Sequence, residues 1–523
     1  MIEMSQERTK RMVAVHGWSG TVLGLLLYAV VFTGAVAVFA SEIGAWSRGG
    51  AVDTSGLPDR LHRHLAHYAG KVDPAYHERI NVSTRVDGTV RLSFQHRRRD
   101  PTTGATDEHA EVFFIRPDDG AMVRRQSGVL RDIVGDDPRD ALERFLVDLH
   151  VRLYVPEPWG LLLTGVLGLA MMAAAVSGML MHRHLLRDLF TAPRGHGRLA
   201  DTRDRHVLAA AWGLPFSILL AFTGAFFSFA ISLGVPLVAL VAFGGDQDRL
   251  IATVLAPPTL GESRPASLAS LDYVMADARI RAGAPVTGML IERFGTDRAM
   301  VTTRHAAANG ALLPTTLSFD GETRRFLGEK PTLGTVPSAG SAAVSLMLPL
   351  HFGNFAGVAS KTAWFALGLA MSFVIATGML LWVRRRQQRP LWRRFGIAVE
   401  VTIWSLPIGL LGSAVAFFLT LPSGDPIRWT PAGFVAALLI AVWIGARCRD
   451  RVRRLRSVAG VLCLGLPLLR HLTGGTSWSE ALIDGQSAVL TIDLLLLCAG
   501  GVLLAARTAW PARRPAMAMG PAE

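Results

Sequence analysis

Two stretches decide the fold: HGWSGTVLGLLLYAVVFTGAVAVFA, residues 16–40, and HVLAAAWGLPFSILLAFTGAFFSFA, residues 206–230. Each opens on a histidine and then runs without a charged residue for longer than the roughly 20 residues a helix needs to cross hydrocarbon. Aligned on their histidines, they share Phe-Thr-Gly-Ala sixteen residues on, at 32–35 and 222–225, and Phe39 falls on Phe229. A second pair of apolar runs matches in the same way. Gly168-Leu169-Ala170-Met171 meets Gly368-Leu369-Ala370-Met371, Gly178-Met179-Leu180 meets Gly378-Met379-Leu380, and Leu149-His150 meets Leu350-His351 with a one-residue adjustment. Apolar helices resemble one another by chance because Leu, Gly and Ala recur, but histidines matched at equivalent ends are harder to obtain that way. The unit of helix, polar region, helix therefore occurs twice. Both copies start on the same side, which makes a parallel repeat about an axis along the membrane normal.

Working outward, further apolar runs occupy about residues 158–181, 206–243, 363–383, 397–419, 432–444, 458–469 and 488–505, giving eight expected spans; those near Ala432 and Val458 have the shortest apolar cores. Half of all residues are apolar, as a polytopic α-helical membrane protein requires. The net charge of +13 lies mostly in arginines between apolar runs. Lys10 and Arg11 precede the first span, Arg183 to Arg205 separate the second from the third, Arg384 to Arg394 follow the fourth, and Arg447 to Arg456 follow the sixth. These clusters fall in alternate connections, which puts both termini in the cytoplasm of a bacterial inner membrane. No zinc finger or recognition-helix pattern occurs, so no nucleic-acid partner is expected. Val38-Phe39-Ala40 before Ser41 resembles a signal-peptide cleavage site. The apolar run is longer than a usual signal core and begins at His16, so a retained anchor is expected.

The expected domains are a first span with its cytoplasmic N-terminus (1–40), a polar domain (41–156), spans two and three with a basic loop (157–243), a second polar domain (244–345), span four (346–390) and a C-terminal region of four spans (391–523). Both polar domains read as α+β. The first has a helical stretch at Leu61–Ala69, then strand patterns at 89–94 and 111–115; the second has a helix at 268–282, then strands at 288–293, 299–303 and 316–319. Two small antiparallel sheets are expected, both extracytoplasmic. Cys448, Cys463 and Cys498 form no CxxC pair and are too few for an all-thiolate iron–sulfur cluster.

Of the fifteen histidines, His62, His64, His67, His77, His96, His109 and His305 sit in polar segments and read as solvated; His184 and His196 lie among cytoplasmic arginines, and His471 is ambiguous. Five stand at the mouths of spans: His16, His182 and His206 at the cytoplasmic face, His150 and His351 at the outer face. A polar group beside hydrocarbon is costly without a partner, so each is a functional candidate. By the repeat, His150 opposes His351 and His16 opposes His206. Paired neutral imidazoles are what haem iron requires on its two axial sides, and glycines such as 34, 168, 178, 368 and 378 permit close approach. A proton relay would add carboxylates, which the first four spans lack in their interiors. Zinc would need a third ligand, available only if His16, His182 and His206 converge.

At this point the chain resembles the PepSY-associated transmembrane family, and within it the iron-regulated ferric-siderophore reductases. The carrying residues are His16-Gly17-Trp18-Ser19-Gly20, Leu149-His150, Ser177-Gly178 through His182, Arg187-Asp188 to Phe190, Asp204-Arg205-His206, Leu350-His351-Phe352-Gly353 with Lys361, and Thr377-Gly378 through Trp382. The likeness covers about residues 10–390. It implies PepSY-like periplasmic domains, two b-type haems, and reduction of a ferric siderophore to release Fe(II). His182 fits the family's second-span ending, yet its repeat counterpart is Trp382, which leaves the inner ligand pair open among His16, His182 and His206. The expected mechanism is outward electron flow. Arg97 to Arg99, Arg124 and Arg125 could attract an anionic chelate, but a solvated surface is the better reading of them. No glycine-rich dinucleotide fingerprint occurs, so the electron donor is a separate cytoplasmic molecule or a quinol. The rival expectations are a siderophore permease and a non-redox PepSY-type sensor or regulator.

Overall fold

The computed structural model describes residues 5–49, 56–85, 88–99, 106–133, 137–181, 190, 198–255, 263–307, 313–331 and 338–506. Among these, seven helices are long and apolar enough to cross a membrane: Trp159–Met181, Leu214–Phe243, Gly357–Arg384, Pro390–Ser423, Pro426–Arg447, Arg451–Leu472 and Ser487–Ala505. An eighth is obtained if Gln6–Val22 and Gly24–Ala37, bent by 67° at Leu23, count as one broken span. The runs near Ala432 and Val458 become full helices of 22 residues each. Arginines such as Arg428, Arg447, Arg451 and Arg454 occupy their end turns, where a long side chain reaches water while its stem stays on apolar surface. The helix that carries His206, Arg198–Trp212, stops at Gly213, and Pro215 in the first turn starts the next one.

The first four spans pack in a corresponding way in the two halves. Gly168 lies against Ala225, and Gly368 lies against Ala35; in each case a Cβ on the glycine would stand within 3.1 Å of the alanine Cβ. Helix Gly24–Ala37 therefore rests on Gly357–Arg384, and Leu214–Phe229 rests on Trp159–Met181. Small residues at the contact let the backbones close up, as apolar helices in lipid require.

The polar regions form one sheet, and this corrects the expectation of two. Its strands are β1 (Arg79–Thr84), β2 (Val90–Arg99), β3 (Thr106–Ile115), β4 (Met122–Val129), β5 (Val286–Glu292), β6 (Met300–His305), β7 (Thr316–Asp320) and β8 (Phe326–Glu329), in the order β4-β3-β2-β1-β5-β6-β7-β8. Two four-stranded meanders join where β1 pairs antiparallel with β5, Val82 opposite Met289. Each meander alone would leave its first strand as an open edge, and pairing the two edges removes that liability. One face packs helices Leu61–Ala69 and Leu271–Ala282 against alternate strand residues. Leu61, Leu65, Val274 and Met275 meet Ile80, Val82, Leu92, Phe94, Phe113, Ile291, Val301 and Phe319 in a single core. The opposite face is polar around the β1–β5 seam and carries a small apolar cluster of Ala110, Val112 and Phe114 on β3.

The last four spans form a bundle that docks on the first half. Gly412 and Gly433 bring Pro390–Thr420 and Pro426–Arg447 into close contact. A buried charged cluster ties the bundle down. Asp493 (0% exposed) accepts from Arg470 (1% exposed) at 2.8 Å, from Trp46 Nε1 at 2.7 Å and from Trp478 Nε1 at 3.0 Å. Trp46 belongs to helix Ala40–Arg48, directly after the first span, so this cluster joins the two ends of the chain.

Candidate functional site

Four of the five candidate histidines come together as two pairs. His16, on Gln6–Val22, faces His206 with ring centres 6.5 Å apart. His150, near the end of helix Ala141–Arg152, faces His351, near the end of helix Ala339–Phe352, with ring centres 6.4 Å apart. Each of these two short helices precedes a span, and Leu153 and Gly353 in left-handed conformation end them. His182 lies outside the described residues. Its counterpart Trp382 packs against Gly17, Trp18 and Trp392, with the Arg386 guanidinium 3.5 Å from its ring centre.

Every ring in the pairs is anchored through Nδ1. His16 Nδ1 donates to the Ala174 carbonyl at 2.9 Å, and His206 Nδ1 donates to the Val374 carbonyl at 3.0 Å, with Thr377 Oγ1 at 3.1 Å. His150 Nδ1 donates to the Val30 carbonyl at 3.0 Å. His351 Nδ1 meets Thr223 Oγ1 at 2.8 Å, and since that hydroxyl donates to the Leu219 carbonyl at 2.8 Å, it accepts from the histidine. A carbonyl or accepting hydroxyl partner places a proton on Nδ1, which leaves Nε2 as the ring nitrogen turned to other partners in all four rings. An outer bond that fixes tautomer and ring orientation is the usual support of a metal-ligating histidine.

A glycine seats each ring. Gly178 lies under His16, Gly378 under His206, Gly34 under His150 and Gly224 under His351. A Cβ at these positions would stand 3.2, 3.2, 2.6 and 3.4 Å from the imidazole Cε1 atoms, respectively. These are residues of the repeated motifs, and the close contact explains the glycine at 34, where a Cβ would clash with the ring.

The ring spacing would suit a metal ion held between the two imidazoles of each pair. An imidazole nitrogen sits about 2 Å from the ion it ligates and the ring centre roughly 1 Å beyond, so two rings on opposite sides of one ion have centres about 6 Å apart. Both pairs meet that spacing. Among the described residues no three His, Cys, Asp or Glu side chains converge. Each pair would offer two imidazoles, a donor set that suits haem iron.

Several features lay beyond the sequence reading. Lys361 is in an ion pair at 2.6 Å with Glu42 and also donates to Ser41 at 3.2 Å, tying span four to the helix after span one. Two histidines taken as solvated are buried. His305 is 2% exposed, bonded to the Ala284 carbonyl and to Thr303, and His64 is 8% exposed beside Gly120. Burial holds the His305 imidazole below its ordinary pKa of 6.5. The backbone that buries them comes from distant turns, Ala284 for His305 and Gly120 for His64, which no local pattern announces.

A sequence model described as the PepSY-associated TM region matches residues 13–385. A Pseudomonas aeruginosa protein, described as uncharacterised, is 30% identical over 395 residues, covering 71% of this chain and 95% of the relative. Both histidine pairs lie inside the matched region, whereas the last four spans lie beyond it. The chain belongs to the PepSY-associated transmembrane family.

Proposed function

We propose that this chain is a b-type haem protein of the bacterial inner membrane that carries electrons outward and reduces a ferric siderophore, releasing Fe(II). The observation that supports this most is the two pairs of opposed imidazoles at 6.5 and 6.4 Å, all four with Nδ1 anchored to the protein. His16 and His206 would hold one haem and His150 and His351 the other, supplying one-electron chemistry at two depths. The protein's own contribution is to fix the ring orientations through Nδ1, to turn Nε2 toward the ligand, and to leave glycine beneath each ring. In this reading the two halves are copies of a parallel repeat. Each copy contributes a PepSY-like unit to the sheet, the sheet faces the periplasm, and both termini are cytoplasmic because the basic clusters lie on that side.

The substrate end obeys simple chemistry. One electron converts Fe(III) to Fe(II), a softer and less highly charged ion that hard oxygen chelators hold less firmly. The electron originates in a separate cytoplasmic reductant or a quinol. The test is a vesicle assay with reductant inside, ferric siderophore outside, and a colorimetric Fe(II) trap outside. Fe(II) should appear with the wild type and not with His150→Ala or His351→Ala. Uptake of intact chelate with no Fe(II) outside would favour a permease and refute the proposal.

A further inference from the structure

The polar face of the sheet carries a row of residues in cross-strand register: Arg124, Phe114, Arg91, Ser83, Gly288, Arg304 and Thr316, one from each of strands β4, β3, β2, β1, β5, β6 and β7. Residues in such a row share one face and stand about 5 Å apart from strand to strand. Arg91 and Arg304 are therefore symmetric about the β1–β5 seam, with only a serine and a glycine between them. The Arg304 guanidinium folds inward over that floor: a Cβ on Gly288 would stand 2.9 Å from its terminal nitrogen. Arg124 and Arg85 on the same face are neutralised by Asp137, and Arg85 also by Asp140. The guanidinium groups of Arg91 and Arg304 have no hydrogen-bond or ion-pair partner among the described residues, and Arg91 Nε is buried unpaired. Burial and the neighbouring cations Arg85 and Arg304 hold the Arg91 guanidinium below its ordinary pKa. Arg304 is exposed to water and Arg91 half-buried, and an anion between them would offset the repulsion of the two like charges.

We propose that Arg91 and Arg304 form a binding site for the oxyanion groups of an anionic, oxygen-donor chelate of trivalent iron. The inference deepens the function proposed above and rests on it for the identity of the ligand. Position supports that ligand. Asp140, bound by Arg85, is bound also by Arg48 at 2.7 Å and immediately precedes the helix that carries His150. The arginine face thus adjoins the elements that hold the His150–His351 pair. Planar guanidiniums suit carboxylate recognition through paired N–H donors, and a chelate engaged by both arginines would sit over the seam.

The test uses the full chain in phosphatidylcholine nanodiscs, with gallium(III) citrate as the titrant. Gallium(III) is not reduced under these conditions, so calorimetry reads binding alone. Wild type should bind it, Arg91→Gln/Arg304→Gln should bind at least tenfold more weakly, and a neutral gallium trihydroxamate should be insensitive to the change. Gly288→Leu, which keeps both charges but displaces Arg304, should also weaken binding several-fold; circular dichroism checks that each variant is folded. Unchanged citrate binding in both variants would overturn the proposal. So would unchanged citrate binding with loss of phosphatidylglycerol retained from the native membrane, which would make the arginines a lipid clamp. Optical spectra of the same preparations separate the two proposals: colourless protein with arginine-dependent citrate binding refutes only the haem reading.

Discussion

Gly34 and Gly224 occupy equivalent places in the two Phe-Thr-Gly-Ala motifs, yet alanine should disturb the site at Gly34 and leave it intact at Gly224. At Gly34 an added Cβ would lie 2.6 Å from His150 Cε1, so the ring must retreat to about 3.4 Å, a shift of about 0.8 Å, before ordinary contact is restored. The ring cannot move that far freely. Its Nδ1 bond to the Val30 carbonyl is already 3.0 Å, and the same shift takes it beyond hydrogen-bonding range. Losing that bond costs about 1 kcal/mol, and metal sites tolerate ligand displacements of only about 0.2 Å. At Gly224 the added Cβ would lie 3.4 Å from His351 Cε1, an ordinary contact. Alanine also favours a helix over glycine by up to ~1 kcal/mol, so weakening of the helix would not explain a defect at Gly34. Haem per chain in the purified variants is the assay. Gly34→Ala should lose about half the haem of wild type, and Gly224→Ala should keep all of it. Equal content in both variants, or equal loss from both, would refute the account of how these rings are seated.

Two further predictions concern the frame around the site. Asp493→Ala leaves the Arg470 charge buried without its carboxylate and strands the Trp46 and Trp478 N–H groups, a loss of about 3–5 kcal/mol; Asp493→Leu with Arg470→Met should cost much less, and thermal melts followed by tryptophan fluorescence would show strict additivity if the cluster were not coupled. His305 is held neutral in the fold, so the unfolded chain takes up its proton first as pH falls through 6.5 and the sheet domain loses stability toward acid; His305→Gln should flatten that part of the stability–pH profile, and an unchanged slope would contradict the burial argument.

The spans and the histidine pairs were legible because each rests on local pattern. Apolar runs of sufficient length announce helices, and the repeated Phe-Thr-Gly-Ala motif marks the turn of helix that bears Gly34 and Gly224. What was missed depends on distant partners. β1 is six residues long, and its pairing with β5 spans two hundred positions, so nothing near Arg79–Thr84 indicates that the two meanders join. β4 passed unnoticed because Met122 and Val123 are exposed and its alternation is weak. Arg91 reads as one surface arginine among many until Arg304 is placed across the seam. Asp493 was within reach: a lone carboxylate in a span of leucines asks for a buried partner, and Arg470 supplies it.

The central claim is most directly tested by the reduced-minus-oxidised optical spectrum of the purified chain, expressed with ample haem supply and quantified against protein. Two b-type haems per chain are expected, with His16→Ala and His206→Ala removing one component of the spectrum and His150→Ala and His351→Ala removing the other. A folded protein without a haem signal, or one whose entire signal survives all four substitutions, would contradict it.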